Sequence, residues 1–131
     1  MNTFKIIITT ISMLSSLLVV GQQLHLYGGA NNKQYLGCLN CNEFSAKSIW
    51  NEFGDYGSEF SEKSIWNDFS EYGSEFSSYS PWNEYSSNPP AILDSNGGFY
   101  GYLTINEYKS DRATFDIALQ TYRIYYARKN D

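Results

Sequence analysis

The segment SIWNEFGDYGSEFSEK, residues 48–63, is followed at once by SIWNDFSEYGSEFSSY, residues 64–79. Trp50, Trp66 and Trp82 therefore recur at sixteen-residue intervals, and in that register the chain holds four copies. The first, NKQYLGCLNCNEFSAK (32–47), is marked by its ending. The last, SPWNEYSSNPP (80–90), decays into Asn88-Pro89-Pro90, a turn signal that stops the pattern. Tandem short units of fixed period narrow the possible folds sharply. One unit has too little apolar surface to offset its ordering entropy, so neighbouring units must bury each other. Composition tightens this further. Between Asn42 and Pro90 the only aliphatic side chains are Ala46, Ile49 and Ile65, and the other large apolar groups are all Phe, Tyr or Trp. Each ring buries a large area, and with so little else to bury, Trp50, Trp66 and Trp82 are expected to be mainly core. Trp66, with copies on both sides, should be the most sensitive to removal, and Trp82, beside the Pro89-Pro90 end, less so.

Regular structure is not expected within the units. Trp50, Phe53, Tyr56 and Phe60 have roughly helical spacing, but Gly54, Gly57, Ser58 and Ser61 interrupt them. Glycine costs a helix about 1 kcal/mol against alanine, and serine competes for backbone bonds. Serine at 58, 61 and 64, and again at 74, 77 and 80, predicts short turns capped by hydroxyls within an irregular coil. The flanks differ. YLGCLNCNEF (35–44) lines up with YGYLTINEY (100–108) at an offset of 64, and each follows a Gly- and Asn-rich run. Both read as β-hairpins. Beyond them, Phe115, Leu119, Tyr122 and Tyr126 lie at helical spacing, with basic residues at the C-terminal end. The expected architecture is a small, mainly-β, irregular domain over 22–131. Two related hairpins, 24–41 and 91–108, bracket aromatic repeats at 42–90, and one C-terminal α-helix spans 111–128.

Residues 1–21 read as a signal peptide: Lys5, then an apolar run from Ile6 to Val20, ending in Val19-Val20-Gly21. The apolar run is too short and too early for a good membrane span. The expected exported chain begins at Gln22, with no membrane span after cleavage and a secreted or periplasmic destination. Losing Lys5 while keeping all fourteen acids takes the side-chain charge from −5 to −6. Residues 48–90 hold eight acids against Lys63 alone, whereas the tail gathers Lys109, Arg112, Arg123, Arg128 and Lys129. No basic stripe accompanies the aromatics, so nucleic acid is not an expected partner.

The repeats and hairpins resemble a group of uncharacterised secreted bacterial proteins. Their hallmark is tandem SIWN-x-(Y/F)-x-x-YGS-x-(Y/F)-S units beside a G-x-(F/Y)-x-G-x-L hairpin, and the likeness runs from about Leu26 to Tyr108. Similar segments resemble tails attached to exported nuclease-like or protease-like domains, which implies an accessory module. The resemblance implies no ligand and no catalytic residues.

Individual residues offer few chemistries. Cys38 and Cys41, an even pair in an exported chain, point to a local disulfide. In repeat register they replace Gly54 and Gly57 in a tight turn. Zinc needs four ligands, and one C-x-x-C with a single distant histidine, His25, does not supply them. A Ser–His arrangement has only that histidine to use. Glu52, Glu59, Asp68 and Glu75 recur identically, whereas an acid–base pair needs unequal environments. Asp94-Ser95-Asn96-Gly97-Gly98 opens like a calcium loop but lacks the later acid and closing glutamate, and a hairpin turn needs the same residues. Asn51, Asn67 and Asn83 follow the tryptophans and read first as backbone caps. The alternative joins them with the tryptophans in a sugar-binding ladder. The expected function is a secreted, non-catalytic binding or accessory module without a cofactor, its partner an envelope, glycan or protein ligand. A structural or protein-interaction element pairing with another exported protein is the alternative, and a secreted hydrolase a distant third.

Overall fold

In a computed structural model that describes residues 22–131, the chain builds one four-stranded antiparallel sheet, a run of turns and one helix. The segment 1–21, read as a signal peptide, lies outside the described residues. Strand β1 (Leu24–Gly28) pairs with β2 (Gln34–Cys38), and β3 (Ala91–Asp94) pairs with β4 (Phe99–Tyr102). The two hairpins join through their first strands, giving the order β2-β1-β3-β4. Leu26 stands opposite Ile92 in that central seam, and both are fully buried. A sheet of two hairpins whose members are separated by the whole turn region is held by this one pairing.

Each hairpin ends in the same way. Gly37 and Gly101 both take φ +106, a conformation that L side chains rarely adopt. Space closes the argument: a Cβ on Gly101 would lie 2.6 Å from the Asp111 carbonyl oxygen, and one on Gly37 2.9 Å from that of Lys47. These close approaches let a later segment dock alongside the strand end, in parallel bridges of Cys38 with Ser48 and Tyr102 with Arg112.

Between β2 and β3 the backbone advances by successive turns. The N–H of Ser48 donates to the Ser45 carbonyl, Asn51 to Ser48 and Gly54 to Asn51. Ser58 then reaches back four residues to Gly54, and Ser61 three to Ser58. The series repeats from Ser64, Asn67 and Ser70 through Ser74 and Ser77. Four three-residue steps and one four-residue step occupy each sixteen-residue interval. The expected irregular coil is thus a regular succession of turns, because serine or asparagine stands at nearly every step. Their side chains accept the N–H two residues on, as Ser48 does from Trp50 at 3.0 Å and Asn51 from Phe53 at 3.0 Å. The four-residue step is where glycine is obligatory. A Cβ on Gly57 would sit 2.0 Å from the Asn51 carbonyl oxygen, and one on Gly73 2.1 Å from that of Asn67.

The tryptophans pin one turn series to the next. Nε1 of Trp50 donates to the Leu39 carbonyl at 2.8 Å, Trp66 to Ile49 at 2.7 Å and Trp82 to Ile65 at 2.5 Å. Their rings follow one another, Trp66 stacked on Trp82 with centroids 5.4 Å apart and Trp50 tilted by 43° against Trp66 at 5.6 Å. Ile49 and Ile65 are fully buried, and with Leu26, Leu36, Leu39, Ile92 and Leu103 they complete the core between turns and sheet.

Helix α1 runs Asp116–Lys129, five residues later than the expected start at Asp111. Asp111 has φ 62, which no α-helical residue adopts. Residues 106–112 instead make two further turns, with Lys109 N–H on Asn106 and Arg112 N–H on Lys109. Tyr122 anchors the helix: its hydroxyl donates to the Ala113 carbonyl at 2.8 Å and accepts the Thr104 N–H at 3.2 Å. At the C-terminal end Tyr125 lies flat on Trp82, centroids 4.2 Å apart and planes within 4°. Trp82 thereby gains a second ring neighbour that its place at the end of the repeats did not promise. Trp82 is buried most deeply, 2% exposed against 6% for Trp66, and Trp50 is half-buried. The terminal position of Trp82 among the repeats is covered by a helix from outside them.

Candidate functional site

The same turn occurs seven times with an acid and an aromatic at its two corners: Glu43-Phe44, Glu52-Phe53, Glu59-Phe60, Asp68-Phe69, Glu75-Phe76, Glu84-Tyr85 and Glu107-Tyr108. In every case the preceding Asn or Ser accepts the aromatic residue's N–H through its side chain, at 2.9–3.1 Å. Its carbonyl accepts the N–H of the residue after the aromatic. Both corner residues of such a turn project away from the hydrogen-bonded ring. All seven acids are exposed, and the seven aromatic rings are 77–98% exposed. At 98%, Phe53 and Phe69 touch almost nothing in their own chain.

Leaving a phenylalanine in water forgoes about 1.5–3 kcal/mol of burial each. Single exposed apolar residues are ordinary, but the same exposed ring returning on seven like turns is a pattern that marks interaction surfaces. The aromatic set of the repeats therefore divides in two: tryptophans inward as core, phenylalanines outward as a comb. Sequence reading missed the comb. Its signal was present as Asn or Ser, then an acid, then Phe or Tyr, a pattern that returns eight times; the eighth, Ser70-Glu71-Tyr72, turns its half-buried ring to the core.

The comb flanks two concavities on either side of the C-terminal end of α1. One, of about 570 Å³, has Glu52-Phe53 and Glu59-Phe60 at its rim, Trp66, Trp82 and Tyr125 within it, and Arg128 and Lys129 from the helix. The other, of about 510 Å³, is bordered by Glu75-Phe76 and Glu84-Tyr85, with Tyr126 and Lys129 opposite. The helix end is bound to these walls. The Arg128 guanidinium lies 4.2 Å from the Trp66 ring centre, and Lys129 Nζ pairs with the Glu75 carboxylate. That pairing is the first cause holding the Lys129 ammonium above its ordinary pKa.

The remaining candidates are engaged elsewhere. Cys38 and Cys41 form a disulfide, with Cα atoms 5.6 Å apart, that ties the end of β2 to the following turn. Asn51, Asn67 and Asn83 use both ends of their amides: Oδ1 accepts as above, and Nδ2 donates to the carbonyls of Ser45, Ser61 and Ser77 at 3.0–3.2 Å. Both ends of these amides thus serve the backbone as caps. Asp94 closes the β3–β4 turn. One carboxylate oxygen accepts the N–H groups of Asn96 and Gly98, both at 2.8 Å, and the other accepts the Tyr100 hydroxyl at 2.9 Å. The Gly98 bond, followed by those from Tyr100 and Asn96, lowers its pKa below 3.8. Among the described residues no group of three or more His, Cys, Asp or Glu is placed to hold a metal ion.

On the sheet, a further concavity of about 590 Å³ is lined by His25, Tyr27, Tyr35, Lys47 and Tyr56. His25 Nδ1 is hydrogen-bonded to the Tyr35 hydroxyl at 2.8 Å. Burial, then the nearby Lys47, lowers the His25 pKa below 6.5. Burial, then Tyr27 and Tyr56, pushes the Tyr35 phenol up to about 12. No helix among the described residues is long and apolar enough to cross a membrane. No protein-family model matches the chain, and no curated protein or solved structure is significantly similar to it.

Proposed function

We propose that this chain is a secreted or periplasmic, non-catalytic binding module, and that its binding surface is the comb of acid–aromatic corners. The observation that carries the proposal is the exposure of seven aromatic rings on one recurring turn, a surface that folding does not use. In this reading the sixteen-residue unit is one coil of a short solenoid, and duplicating it adds both core and comb. The Cys38–Cys41 disulfide supports an oxidising destination, as does the apolar leader before Gln22.

The alternative, a structural element pairing with another exported protein, draws on the inward tryptophans, which serve the fold alone. The test is retention of the exported chain on envelope and glycan fractions, compared with Phe53→Ala/Phe60→Ala and Phe69→Ala/Phe76→Ala. These rings make almost no internal contacts, so the variants should melt as the parent does. Retention lost with unchanged melting supports the comb as the binding surface. Retention equal in all forms overturns it.

A further inference from the structure

The face beneath the C-terminal end of α1, which the comb flanks, already has an occupant, and that occupant shows what chemistry it accepts. The last turn of α1 lays Tyr125 on Trp82 at 4.2 Å, places the Arg128 guanidinium over Trp66 at 4.2 Å, and sets the Lys129 ammonium on Glu75. Ring on ring, guanidinium on ring and ammonium on carboxylate are three distinct contacts made within five residues. They come from the basic end of the chain, whereas residues 48–90 carry eight acids against Lys63 alone.

The stack continues beyond what α1 covers. Trp50 follows Trp66 at 5.6 Å and is half-buried, while Trp66 and Trp82 beneath α1 are buried. Glu52-Phe53 and Glu59-Phe60 line the concavity of about 570 Å³ together with Trp66, Trp82 and Arg128. Arg128 and Lys129 stand at one side of it, but Arg128 is over Trp66 and Lys129 pairs with Glu75, and among the described residues Glu52 and Glu59 form no ion pair. An arginine fits it on three counts. Its planar guanidinium stacks on exposed ring faces. It forms forked hydrogen bonds to carboxylates. The surrounding negative field attracts it from a distance and repels phosphate or acidic chains. A neutral polysaccharide would use the rings but leave the alternating carboxylates without a charged counterpart.

We infer that the part of the comb formed by Glu52-Phe53 and Glu59-Phe60 docks a segment of another polypeptide that carries arginine and aromatic side chains, continuing along the surface the contacts that α1 makes within the chain. The inference rests on the binding reading above and names its partner class.

The test uses fluorescence anisotropy with the exported chain and a labelled twelve-residue synthetic peptide (about three α-helical turns) of alternating Arg and Tyr. A Glu-Tyr peptide of equal length is the comparison, and cellohexaose and chitohexaose are titrated separately by calorimetry. Expected are salt-sensitive binding of the Arg-Tyr peptide alone, and affinity at least about tenfold lower for both Glu52→Gln/Glu59→Gln and Phe53→Ala/Phe60→Ala. Glu62→Gln/Asp111→Asn, which removes equal charge outside the acid–aromatic corners, should bind as the parent does. An equal loss in that last variant means unspecific attraction and overturns the inference. Hexasaccharide binding that needs Phe53 and Phe60, with no peptide binding, overturns the cationic partner while leaving the binding surface intact. If no probe's binding depends on Phe53 and Phe60, both readings fall.

Discussion

Replacing Trp82 with alanine should be the most destabilising change in the tryptophan stack, and its size follows from three contacts. The ring is 2% exposed, lies between Trp66 and Tyr125, and its Nε1 holds the Ile65 carbonyl. A buried aromatic of about 150–250 Å², at about 25 cal/mol per Å², corresponds to roughly 4–6 kcal/mol as an upper bound. Partial collapse of the cavity returns some of this, and measured tryptophan truncations fall at about 3–5 kcal/mol. The Ile65 carbonyl, left without its donor, adds a desolvation penalty of about 1–3 kcal/mol. A loss near 5 kcal/mol is therefore expected for Trp82→Ala, against about 3–4 for Trp66→Ala and roughly 2 for half-buried Trp50→Ala. Domains of this size shift by about 4–8 °C per kcal/mol, so Trp82→Ala should melt at least about 20 °C lower. Thermal and urea melts of the three variants, followed by circular dichroism, give the ranking. Trp82→Phe keeps a ring under Tyr125 but loses the N–H, and should cost about 1–3 kcal/mol. A Trp82→Ala variant that melts above Trp66→Ala would refute the argument, because it would mean that α1 does not close the stack.

Gly57→Ala should be disruptive by about 1–3 kcal/mol or more, since its methyl would meet the Asn51 backbone; Gly54→Ser, which copies Ser70 one interval on, should be tolerated, and equal urea midpoints for the two variants would count against the four-residue step. Cys38→Ala/Cys41→Ala opens a four-residue ring, for which chain entropy gives about 2 kcal/mol, a loss readable in urea melts; a loss above about 4 kcal/mol would show that the bridge does more than close its own turn. Asp94 binds its turn as a carboxylate, and its folded pKa is depressed, so its contribution is complete above the ordinary aspartate value and fades as pH falls through the lower folded one. NMR titration of the Asn96 and Gly98 amides should show a midpoint below the ordinary aspartate value. A midpoint at or above the ordinary value contradicts the assigned hydrogen bonds.

Local chemistry was legible from the sequence. Serine and asparagine at three-residue spacing specify turns, Cys38 and Cys41 lie within reach of one another, and the glycine- and asparagine-rich runs mark two hairpins. The helix was visible in the spacing of its apolar residues, though not its start, because Asp111 gives no sign in sequence of its left-handed backbone. The long-range seam between β1 and β3 was not legible, since nothing within either hairpin names its neighbour. Nor was the division of the aromatics. Trp50 follows Ser48, and Phe53 follows Asn51, by the same two residues and through the same side-chain bond to the backbone N–H. Yet one ring enters the stack and the other faces water. Turn chemistry sets the conformation of each step, but the direction a corner faces depends on where that step falls around the coil, and on the sheet and α1 packed against it. Those neighbours are distant in sequence, so tertiary packing alone decided which aromatics became core and which became surface.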